Sequence, residues 1–521
     1  MHRVVLWVVV AVAFVVGLVV PDRSEQDRQE ECRARDGRVT APYAITGYWV
    51  IPRADPCVTR GMVEAIHAIG GDTLITFGPR FSVGVEPELA GCAVDGLPCA
   101  EVAGKRIRQV YSYVTSEEFG PGLLRCPGTD RRIEGEGRTY YRLSLAESCD
   151  APEQDLVLVA TDGDGMANLM TEAAAYGMTV FPGLPAAPQR PDKTWEPDLA
   201  HTAALNAFTA RVLSDYKARF GGSAAFGGVY QSFELAMRAR ADDDPIISLY
   251  AAQHAVVVAA LPGKKIVVSP YIDARRGRGF PPDQVREGMA DIAGTRAGAP
   301  MAIAVQDGRG TGKVPVYGVH EREARVEARL VPVVGEVGYG QAYYGSTRDY
   351  IEAAARQVPD GVELWVNVEA FEPTPAPGEC GRVDPLPLRG RPTKSRLDRQ
   401  VMATGPYGSK IISYGWEPFF TCQARYDTPS LADDIAGAWQ QPIIVNAVRK
   451  DVDGRPGLLV EGYHLRGGTF RFDPQGAVVR QERHERRGRL ESAWVPYAPP
   501  GTTSLTATNE AGQTSAAPYV F

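Results

Sequence analysis

The stretch "VELWVNVE", residues 362–369, carries polar and aromatic side chains on one face of a strand-like run and ends in a carboxylate. Its apolar residues alternate with Trp365, Asn367 and Glu369, so the two sets point to opposite faces of a strand. We expect the apolar face to pack against helices and the other face to point inward. An inward carboxylate is costly unless it is solvated, paired or functional. Glu369 is therefore the first candidate for chemistry.

A second strand-like run, "GGVYQSFEL" at residues 227–235, places Tyr230, Ser232 and Glu234 on one face. Its glutamate also stands at the predicted end of a strand. Two facing carboxyl groups can cleave a glycosidic bond, because one protonates the leaving oxygen while the other attacks the anomeric carbon. Glu234 and Glu369 are therefore the predicted catalytic pair.

The elements that position this pair are eight strand-like runs, most of which are separated by helical patterns. This alternation is typical of a parallel sheet, and eight repeats indicate a closed (β/α)8 barrel, here over residues 41–430. In such a barrel the active site lies at the carboxyl ends of the strands. The runs cover residues 43–51, 73–77, 178–184, 224–235, 264–272, 300–307, 362–369 and 409–419.

Several other residues at or near predicted strand ends are candidates for substrate binding. Aromatic rings can stack on the apolar faces of sugars, while amides and carboxylates bind sugar hydroxyls. The candidates are Trp49, Tyr230, Tyr271, Asp273, Gln306, Asp307, Asn367 and Trp416. For each tryptophan, packing at the barrel mouth is an equal alternative, and for the aspartate of "QDGRG" so is the capping of a turn. The histidines show no metal-ligand spacing, so we predict neither a metal nor another cofactor.

The largest predicted insertion, residues 78–154, follows the second strand and contains four cysteines and two hydrophilic strand-like runs. The chain has eight cysteines, an even number, and no C-x-x-C motif. This pattern predicts disulfides formed in an oxidising compartment. Connectivity stays open, and the plausible local pairs are Cys32–Cys57, Cys92–Cys99, Cys126–Cys149 and Cys380–Cys422.

The N-terminal segment predicts attachment to a membrane. Arg3 precedes an uncharged apolar run, residues 4–20, which ends in Gly-Leu-Val-Val without an A-x-A cleavage pattern at that end. We expect residues 1–20 to be an uncleaved signal anchor, residues 21–40 a polar linker, and the bulk of the chain to be extracytoplasmic. A cleaved signal peptide and a secreted protein are the alternative.

The C-terminal region, residues 436–521, shows seven short strand-like runs separated by turn signals and no helical pattern. Such spacing is typical of a β-sandwich. The stretch "VPYAPPGTTSLTATNEAGQTS" resembles the terminal hairpin of immunoglobulin-like modules on bacterial surface proteins. We expect a spacer first, and a carbohydrate-binding accessory as the alternative.

Charge argues against a nucleic-acid partner. The formal net charge is −7 and the pI is about 5.7. Charges of both signs are mixed along the chain, whereas nucleic-acid binders are usually basic on one face.

Two resemblances extend these expectations. The stretches "ITGYWVIP", "FGGVYQSFELA", "IVVSPYID", "IAVQDGRGTGK" and "LWVNVEAFEP" resemble the domain-of-unknown-function 4434 family of exported barrels similar to glycoside hydrolases. The placement of the two glutamates also resembles the large clan of retaining glycosidases. That resemblance implies that Glu234 is the acid/base and Glu369 the nucleophile. One difference is that Phe233 stands where the clan usually has Asn.

The sequence thus predicts an exported, membrane-tethered glycoside hydrolase of the retaining type that acts on a cell-envelope or extracellular polysaccharide. The alternative is a non-catalytic protein on the same barrel, either a glycan binder or an envelope scaffold. The absence of the usual Asn before Glu234 favours the glycan binder.

Overall fold

The computed structural model describes residues 32–521 except 136, 242, 377, 378, 380, 382–387 and 424–427. Its main compact unit runs from Arg35 to Phe521. Among the described residues, no helix is long and apolar enough to cross a membrane. The predicted signal anchor, residues 1–20, and the first part of the predicted linker lie outside the described residues.

Eight parallel strands form a closed barrel within the described part of the chain, as the sequence predicts. The strands are β1 Gly47–Val50, β2 Thr73–Thr76, β3 Thr179–Phe181, β4 Gly228–Gln231, β5 Lys265–Val268, β6 Met301–Gln306, β7 Val362–Val368 and β8 Lys410–Ser413. They pair in the order β3-β2-β1-β8-β7-β6-β5-β4. Parallel bridges from Val180 to Phe226 and from Gly183 to Tyr230 join β3 to β4 and close the ring.

Helices surround the barrel, and several begin at a side chain that accepts backbone N–H groups. Asp55, Asp164 and Asp244 are such caps. The longer helices are Pro56–Ala68, Gly165–Ala175, Thr202–Phe220, Pro245–Ala260, Asp283–Gly294, Thr347–Ala355, Lys394–Thr404 and Leu431–Ala438. The short ones are Pro87–Leu89, Pro121–Leu123, Leu199–His201, Val319–Glu321, Val331–Val334, Tyr339–Ala342 and Trp416–Phe419.

The two faces of β7 pack as its alternation predicts. Leu364, Val366 and Val368 belong to the large core shared with the helices. Trp365 belongs instead to a small core that fills the barrel interior together with residues of other strands. The inward row of β7 therefore leads up the inside of the barrel to its carboxyl end, where Glu369 follows.

The insertion after β2 is longer than predicted. It forms a five-stranded sheet, and its strand Glu153–Thr161 pairs in parallel with Arg106–Thr115. The insertion therefore extends to residue 161 instead of ending at 154. The other strands of this sheet are Phe81–Val83, Arg131–Gly135 and Arg138–Ser144, and a small hairpin joins Ala93–Val94 to Leu97–Pro98.

The predicted disulfides of the insertion are confirmed. Cys92 pairs with Cys99 and Cys126 with Cys149, with Cα atoms 5.4 Å and 5.2 Å apart. Cys422 is also in a disulfide, but its predicted partner, residue 380, lies outside the described residues. Cys32 and Cys57 are each in a disulfide as well.

The C-terminal region is all β, as predicted, and forms two four-stranded antiparallel sheets. The Arg489 guanidinium donates to the carbonyls of Tyr43 and Gly70, which precede β1 and β2. The region is thus fastened at the amino end of the barrel, opposite the predicted active-site face. The exact domain boundary stays a prediction. One sheet contains Ile443–Arg449, Leu458–Tyr463, Leu490–Val495 and Arg483–Arg487, and the other Ala477–Arg480, Thr469–Asp473, Ser504–Thr508 and Tyr519–Val520.

Candidate active site

The two predicted catalytic glutamates both lie at the carboxyl face of the barrel. Glu369 directly follows β7, and Glu234 lies three residues beyond β4. The pKa of Tyr414, which follows β8, is raised first by burial and then by the negative charges of Glu234 and Glu369. The charges of both carboxyl groups therefore act on one side chain at the barrel mouth.

Glu369 is almost fully buried beneath the loop of residues 307–313. It is 4% exposed, and its Oε2 accepts a hydrogen bond from the Thr311 backbone N–H at 2.7 Å. A Cβ added at Gly310 would lie 2.7 Å from the Cβ of Glu369. Glycine at this position therefore allows the loop to lie against the glutamate.

This environment shifts the acidity of Glu369. Burial raises the pKa of its carboxyl group to about 7, and the neighbouring charge of Asp307 adds to the rise. Lys313 and the Thr311 hydrogen bonds act in the opposite direction, because they stabilise the ionised form. Close to neutral pH the group is therefore divided between the protonated and ionised forms.

The backbone of Glu369 is held from two sides. Its N–H donates to Asp307 Oδ1 at 3.1 Å, and its carbonyl accepts from Gln400 Nε2 at 3.2 Å. Gln400 Nε2 also donates to the other oxygen of Asp307 at 2.5 Å. These contacts fix where β7 ends and the direction in which the Glu369 side chain leaves the strand.

Glu234 has a different environment because its side chain is exposed. Its Oε1 accepts from Gln306 Nε2 at 3.1 Å, and the same nitrogen donates to the carbonyl of Ser269 at 2.8 Å. The hydroxyl of Tyr250 donates to the carbonyl of Phe233, which anchors the preceding residue. Glu234 is therefore held by an amide and open to solvent.

The aromatic candidates divide between packing and the mouth. Trp49 and Tyr230 lie in the barrel interior, 1% and 2% exposed, with ring centroids 5.5 Å apart. Trp416 lies in the outer core between Tyr48 and Phe420, with ring centroids 5.2 Å and 5.4 Å away. The packing alternative therefore describes both tryptophans, and the placement of Trp416 at the mouth is corrected.

Tyr271 is the one of these aromatic candidates that keeps a partly exposed ring. The Lys313 ammonium lies 3.9 Å from the centre of this ring. The charge of the same lysine lowers the pKa of Glu369 and so favours its ionised form.

The polar candidates mostly form hydrogen bonds and ion pairs within the protein. Asp307 is 0% exposed and accepts from the backbone of Arg309 as well as from Glu369, so it fits the turn-capping alternative. Asp273 forms a bidentate ion pair with Arg275, at 2.7 Å for the closest contact. These contacts make both aspartates positioning groups.

The two amide candidates are also occupied. Gln306 positions Glu234, as described above. Asn367 is 0% exposed, and its Nδ2 donates to Ser269 Oγ at 3.1 Å, while its Oδ1 is buried without a partner among the described residues. Its amide therefore points into the barrel interior beneath Glu369.

Two aromatic residues at the mouth are absent from the predicted set. Phe77 directly follows β2 and is 39% exposed, and Tyr414 directly follows β8 and is partly exposed, with the two ring centroids 5.5 Å apart. The signal was present, because each ring is the first residue after a strand. The sequence prediction extended the eighth strand to residue 419 and so placed Trp416 at the mouth instead of Tyr414.

Within the part of the chain that the structure describes, no group of three or more His, Cys, Asp or Glu side chains could hold a metal ion.

The pKa of Glu369 predicts a pH-dependent gain in stability for Glu369→Gln. The folded protein binds this proton more tightly than the unfolded chain, whose glutamate titrates near 4.5. Ionisation therefore destabilises the wild type progressively from about pH 4.5 to about pH 7. We expect the variant and the wild type to have similar free energies of unfolding near pH 4.5. Above pH 7 the variant should gain up to about 3 kcal/mol.

Urea denaturation at about pH 4.5, 6 and 8 measures this difference. A difference that is the same at all three values would show that the burial of Glu369 does not penalise its charge.

A family model matches more than half of the 521 residues. The model describes a domain of unknown function, DUF4434, and matches residues 145–426. No curated protein matches the chain.

Solved structures with a similar course of the chain include two from Bacteroides. A protein assigned as an alpha-L-fucosidase from Bacteroides thetaiotaomicron is 15% identical, with 79% of this chain and 96% of that one covered and a TM-score of 0.41. A glycoside hydrolase of family 5 from Bacteroides vulgatus is 10% identical, with 87% and 90% covered and a TM-score of 0.38. Likeness at this level carries no argument about residues or substrate.

Proposed function

We propose, from the premise that the chain belongs to the DUF4434 family, that its barrel hydrolyses a glycosidic bond of a polysaccharide by a retaining mechanism. The observation that carries this proposal is the pair of carboxyl groups at the ends of β4 and β7, both of which interact with Tyr414. Glycoside hydrolysis usually uses two carboxyl groups at one site, and this barrel mouth has such a pair.

The environments of the two groups suit different roles. Glu234 is exposed and oriented by an amide, so it can reach the oxygen of a leaving sugar and protonate it. Glu369 lies deeper and is backed by Lys313 and the Thr311 N–H, which favour the carboxylate that a nucleophile needs. In the proposed reaction Glu369 attacks the anomeric carbon and Glu234 then activates the water that releases the sugar.

The location of this activity is part of the proposal. The apolar run of residues 4–20 would anchor the chain in the cell membrane, with the barrel on the extracytoplasmic side. The disulfides of the insertion support an oxidising compartment. The proposed substrate is therefore a cell-envelope or extracellular polysaccharide.

A second candidate function is glycan binding without turnover. The burial of Glu369 under residues 307–313 favours it, because a nucleophile needs access to the anomeric carbon. Incubation with aryl glycosides and envelope polysaccharides separates the two candidates. Released sugar whose initial anomer matches the substrate supports the retaining enzyme, and binding without release supports the glycan binder.

Glu234→Gln tests the acid/base role. We expect the turnover of natural glycans to fall by about 10²–10⁴-fold, because an amide cannot protonate the leaving oxygen. Aryl glycosides with good leaving groups should lose much less in the first step, since they need less protonation. The measurement is kcat/KM for both classes of substrate.

A matched control is Glu417→Gln, which removes a carboxylate paired with Arg53 just beyond β8. It should leave both rates within about twofold. Azide gives a further check on Glu234→Ala, since it should restore turnover and yield a glycosyl azide of retained configuration. Equal losses for both substrate classes and no effect of azide would contradict the assignment.

A further inference from the structure

A cavity of 350 Å³ lies at the carboxyl ends of β1 and β2, on the same face of the barrel as the two glutamates. One wall comes from the barrel and includes Ile51 and Phe77. The other comes from the insertion and the residue that follows it, and includes Ser116, Glu117 and Asp162. Its volume is within the range of small-ligand sites, which is about 300–1,000 Å³. Most of its lining precedes residue 145, where the family match begins.

The cavity is connected to the candidate active site through aromatic rings. Phe77 lines the cavity and lies 5.5 Å from Tyr414 between ring centroids. Tyr414 in turn interacts with Glu234 and Glu369. A glycan bound between the two glutamates would therefore reach the cavity by passing over these two rings.

The lining offers both kinds of contact that a sugar ring needs. Ile51 and Phe77 present apolar surface, at 37% and 39% exposure. Ser116, Glu117 and Asp162 supply oxygen atoms for hydroxyl groups. Glu117 is 3% exposed, and one of its oxygens already accepts a hydrogen bond from Tyr216, which holds the carboxyl group in place.

The charges of the lining select against one class of sugar. The two acidic side chains of the lining are Glu117 and Asp162. Burial raises the pKa of Glu117 to about 7, so the exposed side chain of Asp162 is the main source of negative charge at neutral pH. A sugar with a carboxylate of its own would be repelled, because like charges at close range are unfavourable in a partly buried site. An uncharged or amine-bearing sugar meets no such repulsion.

We propose that this cavity binds a further sugar residue of the same glycan chain, one without an acidic substituent, and that the insertion thereby selects the polysaccharide. This inference rests on the proposed function, because the rest of the glycan would be bound between Glu234 and Glu369. It adds a recognition site whose lining, apart from Asp162, lies outside the family match.

The test fills the cavity with Ser116→Trp. Binding is measured by calorimetry for cellohexaose, mannohexaose, xylohexaose, chitosan hexamer and a hexamer of galacturonic acid. We expect at least one of the first four to bind the wild type and to lose at least about tenfold in affinity in the variant. The galacturonate hexamer should bind more weakly than that ligand.

Two further variants keep the test decisive. Ser148→Trp makes the same change on an exposed turn of the insertion and should leave binding unchanged. Asp162→Ala changes an exposed lining residue without filling the cavity, and should weaken the same ligand about threefold or more even if the tryptophan variant does not fold. Melting curves establish which variants are folded.

The outcomes separate this inference from the proposed function. Hydrolysis of a polysaccharide with no effect of folded Ser116→Trp or of Asp162→Ala would overturn the cavity site and leave the enzyme standing. Binding that is lost in these variants without hydrolysis of any substrate would support the cavity site and count against the enzyme. Preference for the galacturonate hexamer, or no binding of any hexamer, would overturn the inference.

Discussion

Glu369→Gln is expected to lower kcat by about 10⁴-fold or more on every substrate, including aryl glycosides with good leaving groups. The amide oxygen can still accept the Thr311 hydrogen bond, so the loop of residues 307–313 should keep its place. It cannot attack the anomeric carbon, because an amide is not a nucleophile under these conditions. The dissociation constant for an oligosaccharide should therefore stay within about threefold of the wild-type value.

The matched control for this variant is on the same strand. Glu363 lies near the start of β7, at the opposite end of the barrel, and pairs with Lys265 at 2.5 Å. Glu363→Gln should keep kcat within about twofold of the wild type. Residual turnover of more than a few per cent in Glu369→Gln would remove this residue from the nucleophile role.

The raised pKa of Glu369 makes the assignment of roles a sharp question, because a general acid also benefits from a raised pKa. Azide distinguishes the roles. If Glu369 is the nucleophile, Glu369→Ala in azide should form a glycosyl azide of inverted configuration. A product of retained configuration would assign the acid/base role to Glu369 and the attack to Glu234.

The barrel could be predicted from the sequence because its signals are local. Each strand is a short apolar run, and the side-chain alternation of β7 alone separated Trp365 from Val366. The strand Glu153–Thr161 has a similar apolar run at residues 156–160, but its place in the sheet of the insertion depends on a partner, Arg106–Thr115, distant along the chain. Pairing across such a distance leaves little trace in a single segment.

The candidate site was predictable at the level of strand ends and not at the level of loops. The alternation of side chains predicts where β4 and β7 end, and Glu234 and Glu369 could therefore be predicted as residues near those ends. The cover over Glu369 depends on where residues 307–313 fold back, which is set by tertiary contacts of Asp307 and Arg309. Trp416 was misplaced because β8 ends at Ser413 and a short helix begins three residues later.

Arg309→Met is expected to lower the free energy of unfolding by about 3 kcal/mol or more. The Arg309 guanidinium is 0% exposed and lies 3.0 Å from Glu372 and 2.8 Å from Glu327. Methionine fills a similar volume but leaves the buried Glu372 with Arg396 as its remaining ion-pair partner, at 2.8 Å. Breaking a buried ion pair on one side is costly because the other charge stays desolvated.

The same change should also reduce activity beyond what instability explains, because Arg309 belongs to the loop that covers Glu369.

Arg325→Met is the matched control, since its pairing with Glu336 at 3.7 Å joins side chains that are 81% and 74% exposed. It should change the free energy of unfolding by no more than about 0.5 kcal/mol. Urea denaturation gives the stabilities, and kcat measured well below the unfolding transition gives the effect on the site. If Arg309→Met behaves like Arg325→Met in both measurements, the ion pairs of Arg309 do not hold the loop of residues 307–313 in place. The burial of Glu369 then has to be attributed to Asp307, Gln400 and the close approach at Gly310.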